Sequence, residues 1–220
     1  MRYLRTGGPA AIRRPRPTDV DEFVAAARRS RDLHHPWLIA PASPEEYDSY
    51  LRRIRRRDSA GYLICDRASG EIAGYVNISG IVLGALRGGY LGYAAFQPYS
   101  GTGHASAGVA LVIDHAFRTV GLHRLEANIQ PGNESSRRVA RKLGLRLEGF
   151  SRDYLFIDGL ARPRALGDHR AERARCAAGR RRTWSGPVGR RSWGSQQRAF
   201  GPEWGLEAVG SSGHVWLQPS

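Results

Sequence analysis

A glycine-rich turn at residues 96–105 carries the clearest chemical signal in the sequence. It follows a short apolar segment and precedes an apolar helical pattern, so it joins a predicted strand to a predicted helix. Gly101 and Gly103 let the backbone approach a ligand closely, and the unpaired amides at the start of a helix attract anions. The turn therefore suits a pyrophosphate, although glycines also occur in such turns for structural reasons alone. A dinucleotide-binding fingerprint is excluded, because its third glycine would fall at Ser106.

An aromatic segment, Leu33-His34-His35-Pro36-Trp37, interrupts a region otherwise rich in Arg and Ala. Trp37 is the candidate from this segment for the wall of a substrate-binding pocket. We interpret the two histidines as part of a solvated loop. The sequence offers no further ligands at a suitable spacing beside them, so no metal is expected.

Two helices are predicted on either side of this segment. Thr18, followed by an acidic first turn, is the expected N-cap of a helix that runs to about Arg29. Ser43, Pro44 and Glu46 supply a cap, a proline at the first helical position and a capping-box carboxylate. They begin a second helix that ends near residue 56.

The remaining elements alternate between strands and helices. Three antiparallel strands are predicted at 61–65, 71–83 and 90–96. An amphipathic helix follows and ends at Gly121, because its apolar residues repeat at helical spacing up to that glycine. A strand, a helix and a strand are then predicted at 123–129, 134–143 and 145–157. This order indicates an α/β domain.

The formal net charge of +14 over 220 residues would suit an anionic partner. Eleven Arg and four acidic residues lie between 160 and 220, so half of the excess belongs to that segment and nucleic acid is not the expected partner. The N-terminal stretch lacks the apolar run of a secretory signal, and only two cysteines are present. The most apolar helical stretch is too short to span a bilayer. We therefore expect a cytoplasmic protein without a membrane segment.

Several spaced motifs between Ile12 and Gly159 occur in the order typical of one family. They are Leu91-Gly92-Tyr93, Gly101-Thr102-Gly103-His104-Ala105, His115-Ala116-Phe117, Gly121-Leu122-His123-Arg124-Leu125-Glu126-Ala127, Pro131-Gly132-Asn133, Leu143-Gly144, Glu148-Gly149-Phe150 and Tyr154-Leu155-Phe156-Ile157-Asp158-Gly159. The sequence thus resembles the GNAT superfamily of N-acetyltransferases, and within it the ribosomal-protein alanine N-acetyltransferase type. The resemblance implies a GNAT fold: a mixed sheet of about six to seven strands flanked by helices, here followed by an irregular C-terminal tail.

The resemblance also implies where acetyl-CoA binds. The cosubstrate would lie between the strand at 90–96 and the strand at 124–129, with its pantetheine arm paired to strand backbone. The implied contacts are Ala95, Phe96, Gly101, Thr102, Gly103, His104, Ala105 and Asn133. One position departs from the family pattern, because Ser100 stands where Gln or Arg is usual.

The implied reaction is direct attack by a primary amine on the thioester in a ternary complex. The acceptor would be a protein N-terminal α-amine, such as that of a ribosomal protein, or a small amine. An α-amine with a pKa near 8 is partly neutral already, so proximity, a proton acceptor and oxyanion stabilisation suffice. An inactive relative and an Arg-rich nucleic-acid-binding protein are the alternatives.

Three residues are candidates for proton transfer. Glu126 is the candidate base or water-mediated relay, and its alternative role is a strand carboxylate paired with Arg. Ser136 could protonate the leaving thiolate, although Ser136 and Asn133 would also suit a helix N-terminus as caps. Some relatives use a Tyr at the position of Ala140, and Tyr154 is a distant substitute for it.

The segment from 160 to 220 shows no apolar periodicity and contains four Trp and many Gly and Arg. The family continues after Asp158-Gly159 with x-Trp-Arg-Asp-His and a final apolar strand. Codons can be chosen for residues 160–169 that, when read one base later, encode Trp-Arg-Asp-His-Glu-Arg-Trp-Ala-Ile. We therefore hypothesise that residues 1–159 form the acetyltransferase domain and that a frameshift near Gly159 replaced its last strand. A genuine tail extension is the alternative. If the frame is shifted, the strand that ends at Ile157 is expected to lack a neighbour.

Overall fold

The computed structural model describes residues 2–157 and 160–164. A six-stranded sheet forms its centre, with the strands in the order of the chain. They are β1 Arg5–Gly7, β2 Ala10–Arg13, β3 Ala60–Asp66, β4 Ile72–Val82, β5 Gly88–Ala95 and β6 Arg124–Glu126. Neighbours from β1 to β5 are antiparallel, whereas β5 and β6 are parallel.

Helices precede, interrupt and follow these strands. They are α1 Val20–Arg29, α2 Arg31–His34, α3 Pro44–Ile54, α4 His104–His115 and α5 Glu134–Lys142. A 3-10 turn precedes α1, and a π-helical turn at Ala116–Val120 extends α4 as far as Gly121, whose φ is 81°. Two further strands, β7 Ser151–Ile157 and β8 Leu160–Arg164, pair with each other in a separate two-stranded sheet.

The sheet is covered on both faces, because successive residues of each strand point to opposite sides. In β3, Tyr62 and Ile64 belong to an apolar cluster shared with α4 and α5. Leu63 and Cys65 belong to a second cluster, which α1 and α3 complete. This second cluster is aromatic: the ring centroid of Phe23 lies 4.8 to 5.7 Å from the rings of Tyr47, Tyr50, Tyr75 and Phe96. The mixed α/β sheet flanked by helices is therefore confirmed.

The two predicted N-caps have different outcomes. Ser43 caps α3 as expected, since its side chain accepts a hydrogen bond from the Glu46 amide at 3.2 Å. The prediction of Thr18 as the cap of α1 is wrong, because Thr18 lies within the 3-10 turn and α1 begins at Val20. The carboxylate of Asp19 instead accepts from the buried guanidinium of Arg13 at 2.6 and 2.9 Å, so the chain is tied to β2 at this point.

Two strands differ in extent from their predictions, and three strands, β1, β2 and β8, were not predicted. The β1–β2 hairpin lies in an Arg-rich stretch without clear alternation. The strand expected at 123–129 pairs with β5 only from Arg124 to Glu126; beyond it Ile129 forms a single isolated bridge, and Ala127 and Ile129 are buried as the alternation requires. The strand expected from residue 145 begins at Ser151.

The hypothesis of a shifted reading frame concerns residues 160–220. The backbone of β8 pairs with β7, so the expectation of a strand without a neighbour is wrong for these residues. Antiparallel pairing needs only backbone N–H and C=O groups, which every residue other than Pro supplies. Residues 165–220 lie outside the described residues, and their origin stays a prediction. Resequencing the gene tests it, since a verified gene in which no other frame encodes the final strand would exclude a frameshift.

Candidate active site

The pairing between β5 and β6 is short and leaves an open strand edge. The two strands pair only from Gly88↔Arg124 to Tyr90↔Glu126, whereas β5 stays paired with β4 as far as Ala95. The amide of Phe96 donates to Ala73 on β4 at 2.8 Å, so the alternation of an antiparallel ladder turns the backbone groups of residues 91, 93 and 95 away from β4. These groups face the gap where β6 diverges. An extended ligand that carries amides can pair with those of them that have no partner in the protein; the Ala95 carbonyl already accepts a hydrogen bond from His34 at 2.8 Å.

The glycine-rich turn lies at the end of this gap. Gly101 and Gly103 have φ values of 80° and 91°, and a Cβ at either position would meet nothing within 4 Å. Gly103 is the N-cap of α4 and provides no side-chain cap, and the first turn of α4 carries no acidic residue. The helical ladder starts with the bond from Ala107 N to Gly103 O at 3.0 Å. The amides of residues 104–106 therefore point out of the helix end, where an anion can accept from them.

A cavity of about 410 Å³ connects the open edge of β5 to this turn. Its lining includes seven of the residues that the sequence singled out: Trp37, Ala95, Gly101, Gly103, Ala105, Asn133 and Ser136. It also includes residues that sequence reasoning missed, among them His34, Tyr93, Arg138 and Lys142. Arg138 and Lys142 stand one turn apart on α5, and no carboxylate belongs to the lining that the structure describes. The wall is thus cationic beside an uncapped helix N-terminus.

Three of the predicted cosubstrate contacts have side chains that are used within the protein. Phe96 is fully buried in the aromatic cluster. Thr102 Oγ1 donates to the Tyr99 carbonyl at 2.6 Å and lies 2.7 Å from His104 Nδ1. His104 Nε2 contacts Asp66 Oδ1 at 2.8 Å. Backbone amides of Ser69 and the His104 side chain lower the pKa of Asp66 to about 2. The side chains of the turn therefore fix its shape, and its backbone remains available to a ligand.

Glu126 and Tyr154 lie outside the cavity lining. Arg124 Nε donates to Glu126 Oε1 at 2.5 Å, and the same guanidinium reaches Glu148 Oε2 at 2.7 Å. Glu126 thus forms an ion pair with Arg124, which is the role that the sequence analysis gave as the alternative to a catalytic one. Tyr154 lies on β7 and is 43% exposed.

His34 is not solvated, which corrects the interpretation of the His34-His35 pair. It is the last residue of α2 and is buried, and its Nε2 donates to the Ala95 carbonyl at 2.8 Å, whereas His35 is exposed. Burial lowers the pKa of His34, so the imidazole is neutral near neutral pH. The aromatic segment at 33–37 has a second contact, with the chain that follows β6: Gln130 Nε2 donates to the Trp37 carbonyl at 3.0 Å.

Asn133 and Ser136 lie at the start of α5, as expected. Asn133 Oδ1 caps the helix by accepting from the Ser136 amide at 3.1 Å. The Ser136 hydroxyl is 2.9 Å from the Tyr93 hydroxyl, which in turn donates to the Ser136 carbonyl at 2.9 Å. Burial raises the pKa of Tyr93 to about 12, so the phenol keeps its proton at neutral pH.

A sheet that opens between two parallel strands, beside an uncapped helix N-terminus and a cationic wall, defines an α/β protein built to hold an extended anionic cosubstrate. The chain belongs to the family described as "Acetyltransferase (GNAT) domain", which matches residues 11–146. It is an N-acetyltransferase, an enzyme that transfers an acetyl group to an amine.

Similar proteins are known from several bacteria. The probable N-acetyltransferase YjcK of Bacillus subtilis is 28% identical over 65% of this chain and 83% of its own length. The [ribosomal protein uS5]-alanine N-acetyltransferase of Escherichia coli is 34% identical over 53% of this chain and 60% of its own. The structure of Mycobacterium smegmatis RimJ in complex with CoA-disulfide matches with a TM-score of 0.65 and 28% identity, over 70% of this chain and 78% of that chain.

Within the described residues, no helix is long and apolar enough to cross a membrane. No group of three or more His, Cys, Asp and Glu residues in the same part of the chain could hold a metal ion.

Proposed function

We propose that the chain transfers the acetyl group of acetyl-CoA to the N-terminal α-amine of a protein, with a ribosomal protein as the acceptor. The observation that carries the proposal is the open edge of β5, which leads directly to the uncapped N-terminus of α4. A ribosomal acceptor would place the reaction in the cytoplasm.

The residues present fit the phosphates and the pantetheine arm of the cosubstrate. The amides of residues 104–106 would accept the pyrophosphate, because both neighbouring glycines leave the approach free of side-chain atoms. The backbone groups of residues 91 and 93 and the amide of Ala95 would pair with the pantetheine arm, since the Ala95 carbonyl already accepts from His34. Arg138 and Lys142 would face phosphate oxygens and compensate for Ser100 at the usual Gln or Arg position.

Acetyl-CoA supplies an activated acyl group as a thioester. The protein orients it and holds the amine beside it, which removes much of the entropic cost of a bimolecular encounter. Leu33, Trp37 and Leu38 are among the apolar residues of the cavity wall and would contact the acceptor. Glu126 remains a candidate for a water-mediated proton relay, although its bond to Arg124 favours the role of an ion-pair partner. Tyr154 remains a more distant candidate.

The acceptor class follows from the relatives. The Escherichia coli relative is named for the alanine of ribosomal protein uS5. The test is release of free thiol from acetyl-CoA with three acceptors: a peptide with a free N-terminal alanine, the same peptide acetylated at its N-terminus, and a polyamine. We expect turnover with the first alone. Turnover with the polyamine alone would show that the acceptor is a small amine and not a protein N-terminus. Thermal stabilisation by acetyl-CoA, measured in parallel, checks the cosubstrate site separately.

A further inference from the structure

The Tyr93–Ser136 pair contains two hydroxyl groups whose donor and acceptor roles are fixed by their surroundings. Tyr93 Oη lies 2.9 Å from the Ser136 carbonyl oxygen, which can only accept, so the single phenolic hydrogen is directed there. The bond between the two hydroxyls therefore takes its hydrogen from Ser136 Oγ, which lies 2.9 Å from Tyr93 Oη. Tyr93 accepts one hydrogen bond and donates one.

This direction matters because a donor stabilises the deprotonated form of the group that accepts from it. The bond from Ser136 opposes the effect of burial on the phenol of Tyr93 and makes that phenol the better acid. Both hydroxyl hydrogens are engaged within the pair, that of Ser136 on Tyr93 Oη and that of Tyr93 on the Ser136 carbonyl oxygen, but a phenol is a much stronger acid than an aliphatic alcohol. Of the two groups, Tyr93 is thus the one prepared to release a proton.

Tyr93 is also placed to reach the cosubstrate. It lies on the open edge of β5, between Tyr90, the last residue paired with β6, and the turn that would hold the phosphates, and it is one of the residues that line the cavity. Ala140, one turn after Ser136 on α5, is buried and offers no hydroxyl. The phenol that reaches the start of α5 therefore comes from β5.

We propose that Tyr93, and not Ser136, donates the proton to the sulfur that leaves the acetyl group, and that Ser136 orients Tyr93. The proposal rests on the proposed function. As the nitrogen–carbon bond forms and the carbon–sulfur bond breaks, the phenolic hydrogen turns from the Ser136 carbonyl oxygen to the sulfur, which leaves with the bonding electron pair and takes that proton. The acceptor nitrogen gives up its extra proton, which returns through cavity water to the phenolate. The net change is an amine and a thioester converted to an amide and a thiol.

The test compares Tyr93→Phe with Ser136→Ala in the full chain. Tyr93→Phe keeps the ring and removes only the hydroxyl. Because general acid catalysis contributes about 10²- to 10⁴-fold, we expect Tyr93→Phe to lower kcat about 100-fold or more, with KM for acetyl-CoA changed by less than about threefold. Ser136→Ala leaves the phenol in place and is expected to lower kcat about tenfold.

A binding measurement supplies a readout independent of turnover. Titration calorimetry compares the Kd of CoA with that of desulfo-CoA, which lacks the sulfur. The wild type and Ser136→Ala are expected to prefer CoA, whereas Tyr93→Phe loses the preference and binds desulfo-CoA as the wild type does. Unchanged desulfo-CoA binding also establishes that the variant is folded.

Two outcomes would overturn the assignment. A larger loss of kcat in Ser136→Ala than in Tyr93→Phe would make Ser136 the donor. An undiminished preference of Tyr93→Phe for CoA over desulfo-CoA would show that the Tyr93 hydroxyl does not contact the sulfur. If the wild type binds neither CoA nor desulfo-CoA, the proposed function itself fails, and the proposal fails with it.

Discussion

The N-termini of α3 and α4 differ in whether their first backbone amides are capped by side chains. At α3, Ser43 accepts from the Glu46 amide, and the Glu46 carboxylate accepts from the Ala42 amide at 2.6 Å. At α4 the N-cap is Gly103 in the left-handed region, without a side-chain cap. The first residue of α4, His104, turns back to Asp66 and leaves the helix end open. The start of α3 is capped by its own side chains, whereas the start of α4, which we propose binds the phosphates, is fixed by a contact of His104 with Asp66.

Substitutions of Gly101 are expected to have the largest effect on ligand binding at the α4 N-terminus, and we compare Gly101→Asp with Gly101→Asn. Both residues tolerate the left-handed conformation of Gly101 better than other side chains do, and they differ mainly in charge. A carboxylate about 5 Å from a phosphate costs about 1 to 3 kcal/mol for effective dielectric constants between about 80 and 20. We expect Gly101→Asp to bind acetyl-CoA about tenfold or more weakly than Gly101→Asn, as measured by titration calorimetry.

Equal affinities of the two Gly101 variants for acetyl-CoA would contradict the assignment of the turn to phosphates. Desulfo-CoA keeps all of the phosphates, so its affinity should also be about tenfold or more lower for Gly101→Asp than for Gly101→Asn. The melting temperatures of the two variants serve as the control, because both carry the same backbone strain.

The cationic side chains of α5 extend this comparison. The α4 N-terminus offers a ligand only backbone amides, and the positive side-chain charge at the cavity comes from Arg138 and Lys142. Arg138→Gln should weaken acetyl-CoA binding about fivefold at low salt, which is about 1 kcal/mol. The loss should shrink at high ionic strength, since Arg138 is exposed and the Debye length falls to about 3 Å at 1 M salt.

Arg141→Gln is the matched control for Arg138→Gln. Arg141 lies on the same helix and pairs with Glu134 at 3.2 Å, but it does not line the cavity. The two variants have the same net charge. If both weaken binding equally, the effect comes from the overall charge of the protein and not from contacts with phosphate.

The contrast between the two helix starts also marks the limits of sequence reasoning. Ser43 and the glycines of the α4 turn were recognisable, because caps and left-handed turns depend on residues close together in the chain. The strand at 123–129 was extended too far, because alternation reports burial and not the presence of a partner strand. Pairing ends where β5 and β6 diverge, although Ala127 and Ile129 remain buried.

The residues that sequence reasoning missed are brought to the site by distant contacts. His34 meets Ala95 across 61 positions, and Tyr93 meets Ser136 across 43. Neither residue has a local pattern that separates it from an ordinary loop histidine or strand tyrosine. Ser136 was found together with Asn133 because both suit a helix start, yet the direction of its hydroxyl bond appears only once β5 and α5 lie side by side.

The smallest expected effect concerns α3 and tests the structural side of the comparison. Ser43→Ala removes the cap of α3 and should lower the free energy of unfolding by about 1 kcal/mol, because an orphan amide loses its acceptor. For a domain of this size, that corresponds to about 2–4 °C in Tm. Ser49→Ala makes the same chemical change within α3. It removes only an exposed hydrogen bond from Arg52, which keeps Asp48 as a partner, and alanine is a good helix former, so Tm should not fall. Acetyl-CoA affinity should be the same in both variants and the wild type. A loss of affinity in Ser43→Ala alone would mean that the start of α3 also belongs to the ligand site, and the division between capped and open helix starts would then fail.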